Sequence, residues 1–211
     1  MTLLTHHPLF AIALTLAAFL IAAWLYRRSG WLGLQPVLVS VTLIVTTLLL
    51  CGVDYATYRA GAEPVAWLLG PATVALAVPL QHNIKRIRQL FWPIVLTLLL
   101  AGTVATVLGA GLAWLFGAEH LMLMSMAPKS VTSPIAMLVA DQIGGIAALA
   151  AVFVMITGVI GAIVGPSILR LCRVHHPAAQ GMALGITAHA VGTARALQDS
   201  DESGAFAALA M

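Results

Sequence analysis

Charge is what this sequence lacks. Only 8% of its 211 residues are Asp, Glu, Lys or Arg, against 61% hydrophobic, and the mean hydropathy is +1.02. Soluble domains carry about a quarter charged residues. This chain has too little polar surface to dissolve in water, so lipid must be its solvent. Acidic side chains are the scarcest, seven in all, and they lie in or near loops. That leaves no paired carboxylates for acid–base chemistry and no mid-membrane Asp/Glu cation site. Cysteine is nearly absent: Cys51 closes an apolar run and Cys172 sits in a basic loop. With no CxxC and no Cys/His cluster, neither a disulfide framework nor a thiolate metal site is expected. Phosphate-cradling GxxxxGK, GxSxG and HExxH are also missing, which argues against an ATPase, a hydrolase or a metalloenzyme. The expectation is a protein that is not an enzyme and uses no metal or cofactor. A net charge of +3 does not mark a nucleic-acid binder, because the basic residues occupy short loops between apolar runs.

Long apolar runs are what the chain has. Crossing a hydrocarbon core of about 30 Å takes roughly 20 helical residues. The runs at 9–26, 32–52, 90–117 and 143–169 pass cleanly. The first is preceded by His6 and His7 and followed by Arg27 and Arg28, the flanks of a retained anchor rather than a cleaved signal. A fifth run, 65–80, is short and carries Gly70-Pro71 and Pro79. Two more are interrupted: 121–140 by Pro128 and Pro134, and 178–197 by Gly181, Gly185 and Gly192. Residues 204–211 read as the start of a further span, longer than the eight residues supplied, which points to an incomplete final helix. Trp24, Trp31, Trp67, Trp92 and Trp114 fall near segment ends, as interfacial anchors do.

Loop charge orients these segments. Arg27, Arg28, Lys85, Arg86, Arg88, Arg170 and Arg173 mark one side; Arg59 stands with Asp54 and Glu63 on the other. By the positive-inside rule the first side is cytoplasmic and the N-terminus lies outside. Parity then lets only one segment cross between Glu119 and Arg170. The cleaner is 143–169, so 121–140 is read as re-entrant from outside and 178–197 as re-entrant from the cytoplasmic side. Irregular backbone at membrane depth is tolerated only in protein or along a water-filled cavity. Opposed broken helices meeting at midplane are a recurring transporter plan. The expected fold is an all-α, polytopic integral membrane protein with about five to six transmembrane helices and two re-entrant or broken segments. It forms one membrane domain over residues 1–211.

Three stretches could carry chemistry. In 127–136, Lys129 inside a bilayer costs about 2.5–3.5 kcal/mol on insertion scales, and Pro128 and Pro134 leave backbone groups free. That cost is explained if Lys129 faces a cavity and meets an anion, with Ser130, Thr132 and Ser133 supplying hydroxyls. The plain structural reading is that Lys129 snorkels to the interface while the hydroxyls cap a broken helix. In 185–196, His189 and Thr193 share a helical face, and Gly185 and Gly192 permit close approach or a break between them. His189 could carry a coupling proton or be a neutral histidine bonded to a carbonyl. Arg195 could bind an anion or simply sit near Asp199, Asp201 and Glu202. In 69–80, Gly70, Pro71 and Pro79 kink a span whose Thr73 and backbone could line the same cavity or merely pack. What is embedded is basic and hydroxylic, which favours a small anion over a metal ion.

These stretches resemble the LrgB/CidB family of bacterial membrane proteins. The resemblance rests on LLGPATVALAVPL at 68–80, PKSVTSPIA at 128–136, IGG at 143–145 and GITAHAVGTARAL at 185–197. Ser133 stands where many relatives carry a second threonine, keeping the hydroxyl. The resemblance implies two competing functions. One is a holin/antiholin-like modulator of murein hydrolases and autolysis, acting with a small LrgA/CidA-type membrane partner. The other, implied by relatives that include the plastidial glycolate/glycerate transporter, is movement of small monocarboxylates such as pyruvate, glycolate or glycerate. Buried lysine in a doubly broken segment sides with transport. The expected partners are then a small carboxylate, the lipid of an inner or plasma membrane crossed several times, and the LrgA/CidA-type protein. Homo-oligomerisation is left open, and nucleic acid is not expected.

Overall fold

The computed structural model describes residues 8–31 and 34–211. His6, His7 and the start of the run at Leu32 lie outside them. Among the described residues all regular structure is helical, as expected for lipid, where a helix satisfies its own backbone polar groups. Contacts divide the chain into two compact units, one ending at Ala75 and the other spanning Leu76–Met211.

The first unit contains α1 (Pro8–Ser29), α2 (Pro36–Cys51), α3 (Tyr55–Gly61), α4 (Glu63–Trp67) and α5 (Leu69–Ala75). Helix α1 packs on α2 and α3 and buries Ala11, Ala18 and Ala22, small residues that let backbones approach. The Thr15 hydroxyl donates to Ala11 O at 2.7 Å and meets the Tyr58 hydroxyl at 2.8 Å. Helix α2 opens on Pro36 in its first turn and closes on Gly52 at φ +63, the left-handed conformation glycine adopts without cost. Asp54 caps α3, accepting from Ala56 N at 3.0 Å.

The second unit contains α6 (Ala77–His82), α7 (Ile84–Gln89), α8 (Phe91–Leu115), α9 (His120–Met126), α10 (Ser133–Gln142), α11 (Ala147–Leu171), α12 (Pro177–Asp199) and α13 (Asp201–Ala210). Its core lies where α12 packs against α11 and α13. Phe206, Leu184 and Val154 are fully buried there. Four described helical stretches are long and apolar enough to cross a membrane: Leu9–Ser29, Glu63–His82, Phe91–Leu115 and Ala147–Leu171, with Pro36–Cys51 shorter. Along Phe91–Leu115 only 6% of the apolar window is buried. Exposure on that scale suits lipid rather than water. The chain is an all-α polytopic membrane protein.

Several boundaries differ from those read off the runs. Ile143, Gly144 and Gly145 precede α11 instead of opening it. Gly144 sits at φ +84, and a Cβ on Gly145 would lie 2.7 Å from Ser125 N, so this is a tight turn against another backbone. Pro71 and Pro79 fall in the first turns of α5 and α6, where a missing N–H is harmless; the interruptions are at Leu68, Leu76 and Asn83. The last helix begins at Asp201 rather than Gly204, because the Ser200 hydroxyl accepts from Ser203 N at 3.1 Å and starts it there.

The orientation expected from loop charge has a direct test. With native cysteines replaced, Arg59→Cys should react with a membrane-impermeant maleimide on intact cells, and Arg88→Cys should react only after permeabilisation. Labelling at 88 from outside would sink the orientation.

Candidate functional site

Two segments of the second unit are too short to cross. At about 1.5 Å per residue, α9 is about 10 Å long and α10 about 15 Å, against a core of about 30 Å. Pro128, buried, and the turn at 127–132 separate them, and Ser133-Pro134 starts α10 with proline in its first turn. Ser125 holds this hairpin to the start of α11. It is fully buried; its hydroxyl donates to Leu121 O at 2.7 Å and accepts from Ile146 N at 2.8 Å. Nothing in the sequence singles out Ser125, because a serine between methionines in a broken apolar run carries no motif. Ser125→Ala should strand a buried N–H and cost about 1–3 kcal/mol. Thermal denaturation in detergent reads this out, and an unchanged midpoint would show that the tie is unimportant.

The second hairpin lies within α12. Helical geometry runs from Pro177 to Ala188, fails at His189 (φ 40, ψ −129) and resumes. Those dihedrals lie near the first central position of a type II′ turn, about +60°, −120°, a place usually held by glycine. The arms fold back on each other, since a Cβ on Gly192 would collide with Leu184 O. The first arm, 177–188, is about 18 Å long, enough to reach mid-depth and no further. It descends against α11: Gly165 faces Leu184, Gly161 faces Ala188, and Gly158 faces the His189 ring. Helix α13 then returns beside the first arm, with Gly181 against Ser203 O and Gly185 against Ala207 O. Gly185 and Gly192 are close-packing positions, and the break between them falls on His189 itself. Strain of this kind, about 1–3 kcal/mol, persists only where surroundings impose it.

Both turns reach the same part of α11. Val131, in the first turn, packs against Ala136, Ala140, Ala150 and Val154. His189, at the second, is 3% exposed, with Nε2 2.9 Å from Val154 O. A carbonyl only accepts, so Nε2 carries the hydrogen, and in the neutral ring Nδ1 is the nitrogen left to take a proton. Thr193 is 2% exposed and donates to His189 O at 3.0 Å.

Lys129 is half-buried in the first turn. Its Nζ donates to Ser130 Oγ at 3.2 Å, and its Cε lies where a side chain on Gly109 would be, 2.5 Å from that Cβ. Gly109 is six residues before the end of α8, about 9 Å in from it. Thr132 precedes α10 without capping it through its side chain, and Ser133 is the first residue of that helix. The structure therefore groups Lys129 with Ser130, and His189 with Thr193, and brings their two turns to Val154. Two other residues have partners of their own. Thr73 is exposed in the first unit and donates to Leu69 O at 2.7 Å. Arg195 pairs through Nη1 with Asp199 at 2.8 Å, and its Nε is buried without a partner. A cavity of about 460 Å³ lies between α8 and the first arm of α12. Its lining is apolar apart from groups such as Thr97, Thr187 and His176, and includes neither Lys129 nor His189.

No solved structure matches the chain. It is 40% identical over 187 residues to the uncharacterized protein YxaC of Bacillus subtilis (strain 168), covering 89% of this chain and 81% of that one. With YwbG of the same strain it shares 35% identity over 205 residues, 95% of this chain and 89% of the relative. Antiholin-like protein LrgB of Bacillus mycoides (strain KBAB4) is 29% identical over 208 residues, 98% and 90% of the two chains. The family description "LrgB-like family" matches residues 15–211, a range that takes in both hairpins and the α11 segment between them; the chain is a member of the LrgB-like family.

Proposed function

We propose that this chain moves a small monocarboxylate of the pyruvate, glycolate or glycerate class across a bacterial inner or plasma membrane, working with a small LrgA/CidA-type membrane protein. The observation that carries this reading is the convergence of two non-crossing hairpins on Val154, one bearing Lys129 and the other His189. Broken backbone at membrane depth has a use where it lines a solute path. In this reading the Lys129 ammonium pairs with the carboxylate, and the hydroxyls of Ser130, Thr132 and Ser133 take its remaining acceptor sites. His189 Nδ1 is available for a coupling proton, and Thr193 braces the turn beneath it. Thr73 and Arg195 are not needed by this reading: the Thr73 hydroxyl donates to Leu69 O, and Arg195 pairs through Nη1 with Asp199 while its Nε is buried without a partner.

The name carried by relatives in Bacillus mycoides and Bacillus cereus, Antiholin-like protein LrgB, favours a second reading. On it the chain would be an antiholin-like modulator of murein hydrolase activity and autolysis. Uptake of labelled pyruvate, glycolate and glycerate into proteoliposomes, with and without the small partner, separates the two. Saturable uptake of at least one acid with sucrose excluded is expected. Equal passage of sucrose and the acids would instead support a holin-like, pore-forming role in the holin/antiholin-like reading.

A further inference from the structure

We propose that Arg86, His176 and Glu202 form a latch, released by a proton, at the base of the α12 hairpin. Arg86 in α7 lies with Nη2 3.0 Å from His176 Nε2 and Nε 3.5 Å from Glu202 Oε1. One guanidinium thus ties α7 to the residue just before α12 and to the first turn of α13. Arginine has donors only, so His176 Nε2 must present a lone pair to it, and the ring is neutral with its hydrogen on Nδ1. Protonating Nε2 replaces a donor–acceptor pair with two cations. The sign follows: the latch is closed while His176 is neutral and released once it is protonated.

The other charged groups on these elements do not reverse that sign. His82 in α6 lies 3.7 Å from Asp201 in α13, a pair that protonation would tighten. Its side chains are 63% and 74% exposed, so solvent screens it. The Arg86 and Glu202 side chains are 46% and 30% exposed, so that ion pair is the less exposed of the two. Lys85 and Arg88 on α7, and Arg173 and His175 in the loop before α12, are cationic or become so in acid. They add to the repulsion of a protonated His176.

The arm beginning at Pro177 is continuous helix as far as Ala188, so a shift at its base is carried to the His189 turn. His176 also lines the apolar cleft between α8 and that arm. As control of the Val154 site, the latch rests on the transport reading above; as a movement, it is measured without any solute. The test uses the full chain in lipid nanodiscs, with Cys51→Ser and spin labels on native Cys172 and on Gln89→Cys. Electron–electron distances are recorded at pH 7.5 and 5.5. The parent should show one short-distance population at pH 7.5 and gain a longer one at pH 5.5. His176→Gln, whose amide oxygen still accepts from Arg86 but does not titrate, should keep the short population at both. His176→Lys should show the longer one already at pH 7.5. A parent distribution unchanged by pH, or a His176→Gln variant that shifts as the parent does, overturns the latch while leaving the transport reading untouched.

Discussion

Gly181→Ala and Gly192→Ala should each destabilise the protein by about 1–3 kcal/mol or more, as overpacking of a close-packed contact does. The reason is what each new methyl would strike. At 181 it meets the Ser203 carbonyl of α13, and at 192 the Leu184 carbonyl of the opposing hairpin arm. Backbone cannot step aside without moving a helix. Gly165→Ala should cost less, because its neighbour is Leu184 Cδ2 at 2.8 Å, the end of a side chain with other rotamers. Gly102→Ala, with nothing within 4 Å, should be neutral or gain up to about 1 kcal/mol from helix propensity. Denaturation of the four variants in one detergent gives the ordering. Gly181→Ala and Gly192→Ala melting together with Gly102→Ala would contradict the close hairpin.

Lys129→Met should weaken apparent affinity for the transported acid about 10–150-fold. That is the loss of a charge-assisted contact worth about 1.5–3 kcal/mol, with the bulk of the side chain retained. Lys129→Arg should rescue poorly, since a planar fork does not reproduce a compact ammonium and its stem must fit the notch at Gly109. Gly109→Ala should likewise impair transport while barely affecting stability, because only the end of a flexible side chain is displaced. His189→Gln should act differently. Its amide N–H can still donate to Val154 O, so binding should survive while the pH dependence of uptake near neutrality flattens. Uptake against concentration at several pH values distinguishes these outcomes. Parent-like transport by Lys129→Met would return that lysine to the role of a snorkelling side chain. A parent-like pH profile for His189→Gln would make the histidine structural.

Much of this architecture was legible before any coordinates. Charge scarcity and run length are sums over many residues, so they determined a helical membrane protein whatever the packing. Pro128 with Pro134, and glycines flanking His189, likewise marked two segments that do not cross as plain helices, because missing amide donors and missing side chains act locally.

What only the tertiary structure decided depends on partners distant in sequence. The reversal falls on His189 rather than on a glycine because Val154 O, thirty-five residues away, holds the imidazole at the turn. Gly185 and Gly192 are packing positions because α13 and the first arm press on them. Ser125 matters because Ile146 N has no other ladder to join at the start of α11. Arg195 was ambiguous in the sequence, and the structure gives it Asp199, one turn on, as an ion-pair partner. Local chemistry sets where a chain can bend; which residue bears the bend is set by the groups that close around it.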